Sequence, residues 1–353
     1  MGLTPASTSA PSSPAAPSAA PSAPRSPARD ACLAIDAGNS KTDVAVVAAD
    51  GSVLGTARGG GFQPPAVGVA TAMGELELTV RSAAGAAGLE PAGFGQVSAC
   101  LANADLPSEE RELEDAVRAT GWATSAHVAN DTFAILRAGL PDDGSVTHGV
   151  AVVCGAGINC VGRAEDGRVH RFPAIGHLSG DWGGGSGLAS EALWHAARAE
   201  DGRGEGTALA RTLPAHFGLE SMYALIEAFH LREIPLVRKH ELTPLLFAAA
   251  ADGDPVALAL VHRQAEEIVS LAVVTLTRLG LLTTDSPVHL GGGVLTARHP
   301  ALHDRLTARL AERAPLARAH LVTAPPILGA GLLALDRAHA PVEAHARLRA
   351  HYA

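Results

Sequence analysis

Two short polar loops, each placed between two apolar runs, carry the residue types that bind oxyanions. The first is DAGNSKT, residues 36–42, and it contains one of only two lysines in the 353-residue chain. Backbone N–H groups of such a turn can cradle a phosphate, while hydroxyls and a compact ammonium group add contacts. The residues expected to contact phosphate here are Gly38, Asn39, Ser40, Lys41 and Thr42.

Asp36 opens this loop at the end of a strand-like apolar run. A buried carboxylate needs a partner, and Mg²⁺ with its water shell is a suitable one. We therefore expect Asp36 to be a metal ligand. Taken alone, the loop is explained equally well as a hairpin turn with a solvated lysine.

A second loop, CGAGIN at residues 154–159, occupies the equivalent turn of the second half of the chain. Two such turns facing each other across a cleft would clamp phosphates through Gly155, Ala156 and Gly157. The glycine triplet 291–293 follows a strand and would let a planar base approach the backbone, although helix entries also use such triplets. The sequence has neither a GxGxxG at its first βα turn nor a GxxxxGK[ST], which excludes Rossmann and Walker fingerprints.

Asn130 and Asp131 end another strand-like run. Open α/β sheets bind ligands at the carboxyl ends of their strands, so both side chains are candidates for a site. Capping of the following helix is the simpler interpretation of Asp131.

The elements that must position these loops occur twice in the sequence. Residues 31–58 and 148–172 each read as an apolar strand, a small-residue turn and a hairpin partner, and helices alternate with strands after each of them. We expect helices over about 67–88, 108–121 (capped by Ser108) and 132–139, mostly helix over 186–281, a strand at 319–325 and a closing helix at 325–338. The pattern predicts a duplicated α/β fold with a cleft between the halves.

Composition excludes several classes of function. The formal net charge is −9 and the pI is about 5.9, so no broad basic surface is available for nucleic acid or an anionic membrane. No apolar run reaches the roughly 18 residues that span a bilayer. The four cysteines stand singly in apolar runs without a CxxC motif, which favours reduced thiols in a cytoplasmic protein.

Three segments are predicted along the chain. Residues 1–30 are nearly all Ala, Pro and Ser and are expected to form a disordered tail without the features of a secretory signal. Residues 31–141 and 142–353 are expected to form the N-terminal and C-terminal domains.

The motifs resemble, in their order, those of the BadF/BadG-type ATPase family, and in particular its N-acetylglucosamine kinase branch. They are Asp-x-Gly-x-Ser-Lys-Thr, Asn-Asp, Gly-x-Gly-x-Asn, Gly-His-x-x-Gly-Asp and Gly-Gly-Gly, and they run from about residue 32 to 340. The resemblance implies two ribonuclease-H-like (actin-like ATPase) domains, with ATP and a sugar meeting in the cleft. It also implies Mg²⁺ as a cofactor and a homodimer.

The resemblance also assigns roles to individual residues. Residues 36–42 and 155–157 correspond to the two phosphate loops, the triplet 291–293 to the adenosine segment, and Asp131 to the catalytic aspartate. The residues expected to contact the sugar are Gln63, Asn130, Asn159, Gly176, His177 and Asp181.

The sequence departs from the family pattern at two places. Ala156 and Ile158 stand where the family commonly has hydroxyl-bearing residues, and Trp182 stands where it commonly has an acid beside the sugar. The tryptophan bears on which sugar is bound, and the two missing hydroxyls favour a protein that binds sugar without turnover.

The leading hypothesis is an ATP-dependent kinase that phosphorylates an amino sugar, most simply the 6-hydroxyl of N-acetylglucosamine. Muramic-type sugars, glucosamine and glucose remain open as acceptors. The alternatives are an ATPase that activates a radical dehydratase through an iron–sulfur cluster, and a non-catalytic sugar sensor.

Overall fold

Two five-stranded sheets with the same topology form the framework of the protein. The coordinates are a computed structural model that describes residues 1–2 and 27–353. The first sheet has the strand order β3-β2-β1-β4-β5 and the second the order β10-β9-β6-β7-β8. The strands of the first sheet are β1 Ala31–Ala37, β2 Thr42–Ala48, β3 Val53–Gly59, β4 Gln96–Leu101 and β5 Ala126–Asn130. Those of the second are β6 Gly149–Cys154, β7 Ile158–Arg163, β8 Val169–Arg171, β9 Ser286–Gly291 and β10 Ala317–Leu321.

The internal duplication predicted from the sequence is confirmed by this topology. In each sheet the first strand pairs antiparallel with the second and parallel with the fourth. The β2–β3 and β7–β8 hairpins also both turn at an Asp-Gly pair. Glycine is needed there because Gly51 and Gly167 adopt φ of +84° and +85°, which L-residues rarely reach. The Asp50 and Asp166 side chains close these turns by accepting a hydrogen bond, each 3.0 Å long, from the amide two residues ahead.

Helices cover the sheets and join the two halves. They are α1 Pro64–Val67, α2 Val69–Ala86, α3 Pro107–Ala119, α4 Thr132–Gly139, α5 Gly184–Glu200, α6 Leu209–His216, α7 Met222–His230, α8 Leu242–Ala251, α9 Pro255–Leu279, α10 Gly293–Thr296, α11 Pro300–Arg313, α12 Pro326–Arg337 and α13 Val342–His351.

Two helices are exchanged between the halves: each packs on the sheet of the half that it does not belong to in sequence. Helix α4 follows the first sheet in sequence but packs its Ile135 and Leu136 with Ala151 and Val161 of the second sheet. Helix α12 follows the second sheet but packs against β1 of the first, and α13 continues this layer. The sequence placed residues 142–353 together in one domain; the last two helices nevertheless complete the core of the first half.

Helix α12 also lies directly against α4. A Cβ atom added at Gly329 of α12 would lie 1.9 Å from the carbonyl oxygen of Ala134 in α4. Only a glycine at position 329 lets the two backbones approach this closely.

Local boundaries differ from the predictions in three places. Helix α3 begins at Pro107 rather than after a Ser108 cap, because proline favours the first helical position and Glu109 Oε2 accepts from the Leu106 amide at 2.8 Å. Strand β10 ends at Leu321, although apolar residues continue to 324. Helix α13 was not predicted.

The predicted tail was also too long at its end. Pro27–Asp30 forms a 3₁₀ helix, and Ala28 belongs to the core of the first half. The rest of that segment, residues 3–26, lies outside the described residues.

Within the described ranges, no single helix is both long enough and apolar enough to cross a bilayer. One pair, Leu236–Ala251 with Pro255–Leu279, reaches that length and composition only together, and it bends by 109°.

Candidate active site

The carboxyl ends of the two sheets face each other across a cleft of about 420 Å³. Strand ends in this position are where open α/β sheets bind ligands. Most of the residues singled out in the sequence meet here, and they come from both halves of the chain. Those that line the cleft are Asp36, Gly38, Asn39, Ser40, Lys41, Asp131, Gly155, Ala156, Gly157, Asn159, Gly292 and Gly293.

The first turn is held rigidly by its neighbours. The Gly38 amide donates to the Lys41 carbonyl at 2.9 Å, which closes the turn. Gln63 Nε2 donates to the Asn39 carbonyl at 2.6 Å, and Asn103 Nδ2 donates to Asn39 Oδ1 at 2.9 Å. Gln63, expected to contact sugar, therefore fixes the first turn and is not among the residues that line the cleft.

Lys41 extends from this turn with half of its side chain exposed. Its Nζ lies 3.5 Å from Asp43 Oδ2. Asp43 already receives two hydrogen bonds from Arg58, at 2.6 and 3.1 Å, so its charge is balanced without the lysine. Lys41 is thus available to an anion in the cleft.

The second turn is supported from behind by the start of α5. The amides of Gly185 and Ser186 donate to the carbonyls of Gly155 and Ala156 at 2.7 and 2.9 Å. Gly184 adopts φ of +68°, and a Cβ there would lie 2.5 Å from the carbonyl carbon of Gly157. The glycines after Trp182 are therefore required for α5 to dock on this turn.

The glycine triplet touches the same turn. Gly292 has φ of +91°, and a Cβ on it would lie 2.5 Å from the Cys154 carbonyl oxygen. Gly292 and Gly293 line the cleft, whereas Gly291 ends β9 and is backed by Ile135 of α4. Within the triplet, the close approach of two backbones is therefore made at Gly292, whereas a Cβ on Gly293 would meet nothing within 4 Å.

Three aspartates with raised pKa values line the cleft. Burial raises the pKa of Asp36 to about 8, and the nearby charge of Asp131 adds to the shift. Burial also raises the pKa of Asp131 to about 6 and that of Asp105 to about 7, the latter with help from the charge of Asp131. The charge of Asp131 thus acts on both of the other aspartates. Such a cluster of carboxyl groups favours binding of a cation or a proton.

Asp131 does not act as a helix cap. It stands at the N-cap of α4, but its side chain makes no capping hydrogen bond. Asn130 Oδ1 instead accepts from the Thr132 amide at 3.0 Å. The carboxylate of Asp131 is left facing the cleft.

Two asparagine side chains connect Asp105 of the first half to the second half of the chain. Asn130 Nδ2 donates to Asp105 Oδ1 at 2.8 Å, and Asn159 Nδ2 donates to Asn130 Oδ1 at 3.1 Å. Asn130 is buried beneath the cleft surface, so it positions Asp105 and Asn159 rather than lining the cleft. Thr42, expected in the phosphate turn, is likewise buried at the start of β2.

The remaining predicted residues lie in an adjoining cavity. Gly176, His177 and Asp181 line this space of about 310 Å³, which shares Ala174 and the 156–158 turn with the main cleft. Asp181 Oδ2 accepts from the Gly176 amide at 3.0 Å and from Ser179 Oγ at 2.5 Å. This cavity is called the branch cavity below.

Sequence reasoning missed Asp105 and Asn103, which both line the cleft. They follow β4, which lies parallel to β1 and β5 and beside both. Because Asp36 and Asp131 were found at the ends of those two strands, the same rule applied to β4 would have found Asp105.

The donor set fits a divalent cation held jointly with a ligand. The negative charge of Asp131 adds to the raised pKa of Asp36, and a nearby cation would relieve this repulsion. Within residues 27–353, no three Asp, Glu, His or Cys side chains are grouped to hold a metal by themselves. This suits Mg²⁺, which keeps several waters and completes its shell with phosphate oxygens.

Two sheets of the same topology, exchanged crossing helices and facing turns define the class of two-domain actin-like ATPases. The chain belongs to the BadF/BadG/BcrA/BcrD ATPase family, whose sequence profile matches residues 33–334.

Two curated relatives are amino-sugar kinases. An N-acetylmuramic acid/N-acetylglucosamine kinase from Clostridium acetobutylicum is 27% identical over 194 residues, which cover 55% of this chain and 62% of the relative. An N-acetyl-D-glucosamine kinase from Dictyostelium discoideum is 28% identical over 219 residues, covering 61% and 67% respectively. The matched region thus spans less than two thirds of the first relative's length and about two thirds of the second's.

A solved structure agrees in fold over its whole length. It is a candidate N-acetylglucosamine kinase from Chromobacterium violaceum, with a TM-score of 0.67 and 25% identity. The match covers 88% of this chain and all of the other.

Proposed function

We propose that this protein is an ATP-dependent kinase that phosphorylates a hydroxyl of an amino sugar, most simply the 6-hydroxyl of N-acetylglucosamine. The observation that supports this most is the set of three aspartates lying between two phosphate-type turns from opposite halves. The activities named for the two curated relatives point in the same direction.

In this proposal the two turns hold the phosphates of ATP from both sides. The amides of residues 39–40 and 156–157 donate to phosphate oxygens, since the Gly38 and Gly155 amides already close their own turns, and Lys41 supplies a positive charge. Gly292 and Gly293 allow the nucleoside to lie against the backbone. Phosphoryl transfer needs mainly positioning and charge stabilisation, which a rigid pair of turns supplies.

Magnesium would be held by Asp36, with Asp131 close by, together with phosphate oxygens and water. When bound, it supplies charge that neutralises the transferring phosphoryl group. We propose Asp131 as the base that accepts the proton of the sugar hydroxyl, since its pKa of about 6 leaves it largely ionised at neutral pH. Asp105, which Asn130 orients, is the second candidate for this role.

The described residues give no support to a dehydratase-activating ATPase. Such a protein needs accessible thiolates for its iron–sulfur cluster, whereas all four cysteines are buried and burial raises the pKa values of Cys154 and Cys160 to about 12. A non-catalytic sensor is opposed by the retained aspartates and Lys41, although Ala156 and Ile158 lack hydroxyls.

We also propose that the protein forms a homodimer through the helical layer of its second half. Trp194, Tyr223 and Val237 are exposed there by 53%, 70% and 74%. Sedimentation equilibrium of the purified chain tests this assembly.

The test of the activity is ADP release from Mg-ATP with a panel of sugars. N-acetylglucosamine should give the highest kcat/KM among N-acetylglucosamine, glucosamine and glucose. Tight sugar binding by calorimetry without ADP release from any of them would instead establish the sensor.

A further inference from the structure

The branch cavity is a polar groove between the first turns of α5 and the segment 174–182. Its helical wall follows one face of α5, since Gly183, Ser186, Gly187, Ser190 and Glu191 recur at helical spacing. Trp182 forms another part of the wall, and its Nε1 donates to Glu191 Oε1 at 3.3 Å. This hydrogen bond fixes the Glu191 carboxylate beside the cavity.

The branch cavity leaves the main cleft on its acceptor side. It shares Ala174 and the 156–158 turn with the cleft but not Gly292 or Gly293, which mark the nucleotide side. Asp181 lies close enough to Asp105 for its charge to act on that carboxylate. A sugar placed with its hydroxyl near Asp105 and Asp131 therefore has the branch cavity beside it.

The charged side chains that line the branch cavity are acidic. Asp181, Glu191 and His177 are among the lining residues, whereas none of the lysines and arginines within residues 27–353 is. The Arg263 guanidinium stacks on the Trp182 ring at 4.0 Å, pairs with Glu267 and is not a lining residue. On the side of β8, Arg171 is paired with Glu110 at 2.8 Å. A carboxylate entering this space would meet two like charges, and of the lining side chains named here only His177, when protonated, could offset them.

We propose that the branch cavity receives a substituent of the sugar and selects uncharged or cationic amino sugars over those that carry a carboxylate. This inference rests on the proposed kinase function and names its substrate class. N-acetylglucosamine and glucosamine are admitted, while the lactyl carboxylate of N-acetylmuramic acid is repelled. In this respect the protein differs from its relative named for both N-acetyl sugars.

The test compares kcat/KM for N-acetylglucosamine and N-acetylmuramic acid with the full-length protein. We expect the muramic sugar to be poorer by at least about tenfold, the effect of one unfavourable like-charge contact of roughly 1.4 kcal/mol. Equal use of both sugars, within about threefold, overturns the inference and leaves the kinase proposal intact. Failure with every sugar counts instead against the kinase proposal.

Two variants test the origin of the selectivity. Glu191→Gln removes one of the charges with little change in shape. It should raise the ratio of kcat/KM for N-acetylmuramic acid to kcat/KM for N-acetylglucosamine at least about threefold. Ser190→Lys, at an exposed position on the same wall, should raise it further by adding a cation. Glu205→Gln makes the same charge change as Glu191→Gln at an exposed residue that does not line this cavity and should leave the ratio unchanged.

Calorimetric binding of both sugars provides the same comparison without turnover. If neither cavity variant shifts the ratio in binding or in kcat/KM, the branch cavity does not contact the substituent, and the inference is wrong.

Discussion

Lys41 is the cation that the first turn offers to the cleft, since Arg58 already balances the neighbouring Asp43. Lys41→Ala should weaken ATP by about 10- to 150-fold, because a charge-assisted phosphate contact contributes about 1.5–3 kcal/mol. Sugar affinity should remain nearly unchanged. The measurement is the KM for each substrate, with Lys239→Ala as the matched control; equal losses for ATP and sugar would count against the assignment.

The roles of Asp131 and Asp105 can be separated by isosteric replacement. Asp131→Asn should lower kcat by about 10²- to 10⁴-fold, since the amide cannot accept the proton of the sugar hydroxyl. The fold should persist because Asn130, not Asp131, caps α4. Asp131→Asn and Asp105→Asn are compared by kcat and by affinity for ATP and sugar. If Asp105→Asn lowers kcat in this way and Asp131→Asn does not, the base is Asp105.

The raised pKa of Asp36 predicts a pH-dependent cost of folding. Its folded pKa of about 8 lies above the ordinary value of 3.8, so the folded state keeps a proton that the unfolded state loses as pH rises. This destabilisation begins near pH 4 and is complete above pH 8. Asp36→Asn should therefore raise the free energy of unfolding of the ligand-free protein at pH 8.

The comparison with wild type is made by urea unfolding at pH 8 and at pH 5, without magnesium. The advantage of Asp36→Asn should shrink at pH 5, where the wild-type carboxyl is protonated in the folded state and no longer costs as much. If the stability gain of Asp36→Asn over wild type is larger at pH 5 than at pH 8, the pKa of Asp36 is not raised in the folded state.

At the scale of elements, the contact between α4 and α12 depends on Gly329. Gly329→Ala should lower the free energy of unfolding by about 1–3 kcal/mol, because the new Cβ would overlap the Ala134 carbonyl oxygen and the helices would have to separate. Gly74→Ala in α2 is the matched control. Its Cβ would meet nothing within 4 Å, so alanine should be neutral or stabilising by up to about 1 kcal/mol. Chemical denaturation measures both.

The elements were largely predictable because their signals are local. Helix α4 was predicted over 132–139 and is observed as Thr132–Gly139, since an apolar period and a strand end bound it on both sides. The start of α3 was not predictable from Ser108 alone, because Pro107 and Glu109 together favour a helix that begins one residue earlier. The exchange of α4 and α12 between the halves is a tertiary preference that no local pattern encodes.

The candidate site was predictable where turn chemistry carried the signal, as at residues 36–41 and 155–157. It was not predictable at Asn130 and Gln63, because their roles depend on which partners the fold brings within hydrogen-bonding distance. Asp105 carried no motif of its own and became a candidate only through its place beside β1 and β5.

At the scale of the whole molecule, the proposed kinase activity predicts that the two halves close on ATP and sugar and exclude water. One contact already joins them on the acceptor side, the 2.8 Å ion pair between Arg171 and Glu110. ATP hydrolysis without sugar should run below about one hundredth of the sugar-dependent rate, because water is not positioned as the acceptor hydroxyl is. ADP release with and without N-acetylglucosamine measures this ratio; vigorous hydrolysis in its absence would favour an ATPase.

The exchanged helices also have a consequence for the order in which the chain is made. Domains generally fold as units during synthesis, beginning with the N-terminal one. Here the apolar face of the first sheet, with Ala34 and Val47, packs mainly against α12 and α13, which follow the whole second sheet in sequence. The half that leaves the ribosome first therefore keeps this face largely uncovered until α12 and α13 have been translated. Because exposed apolar surface makes partly folded chains prone to aggregation, we expect the nascent chain to be most vulnerable during that interval.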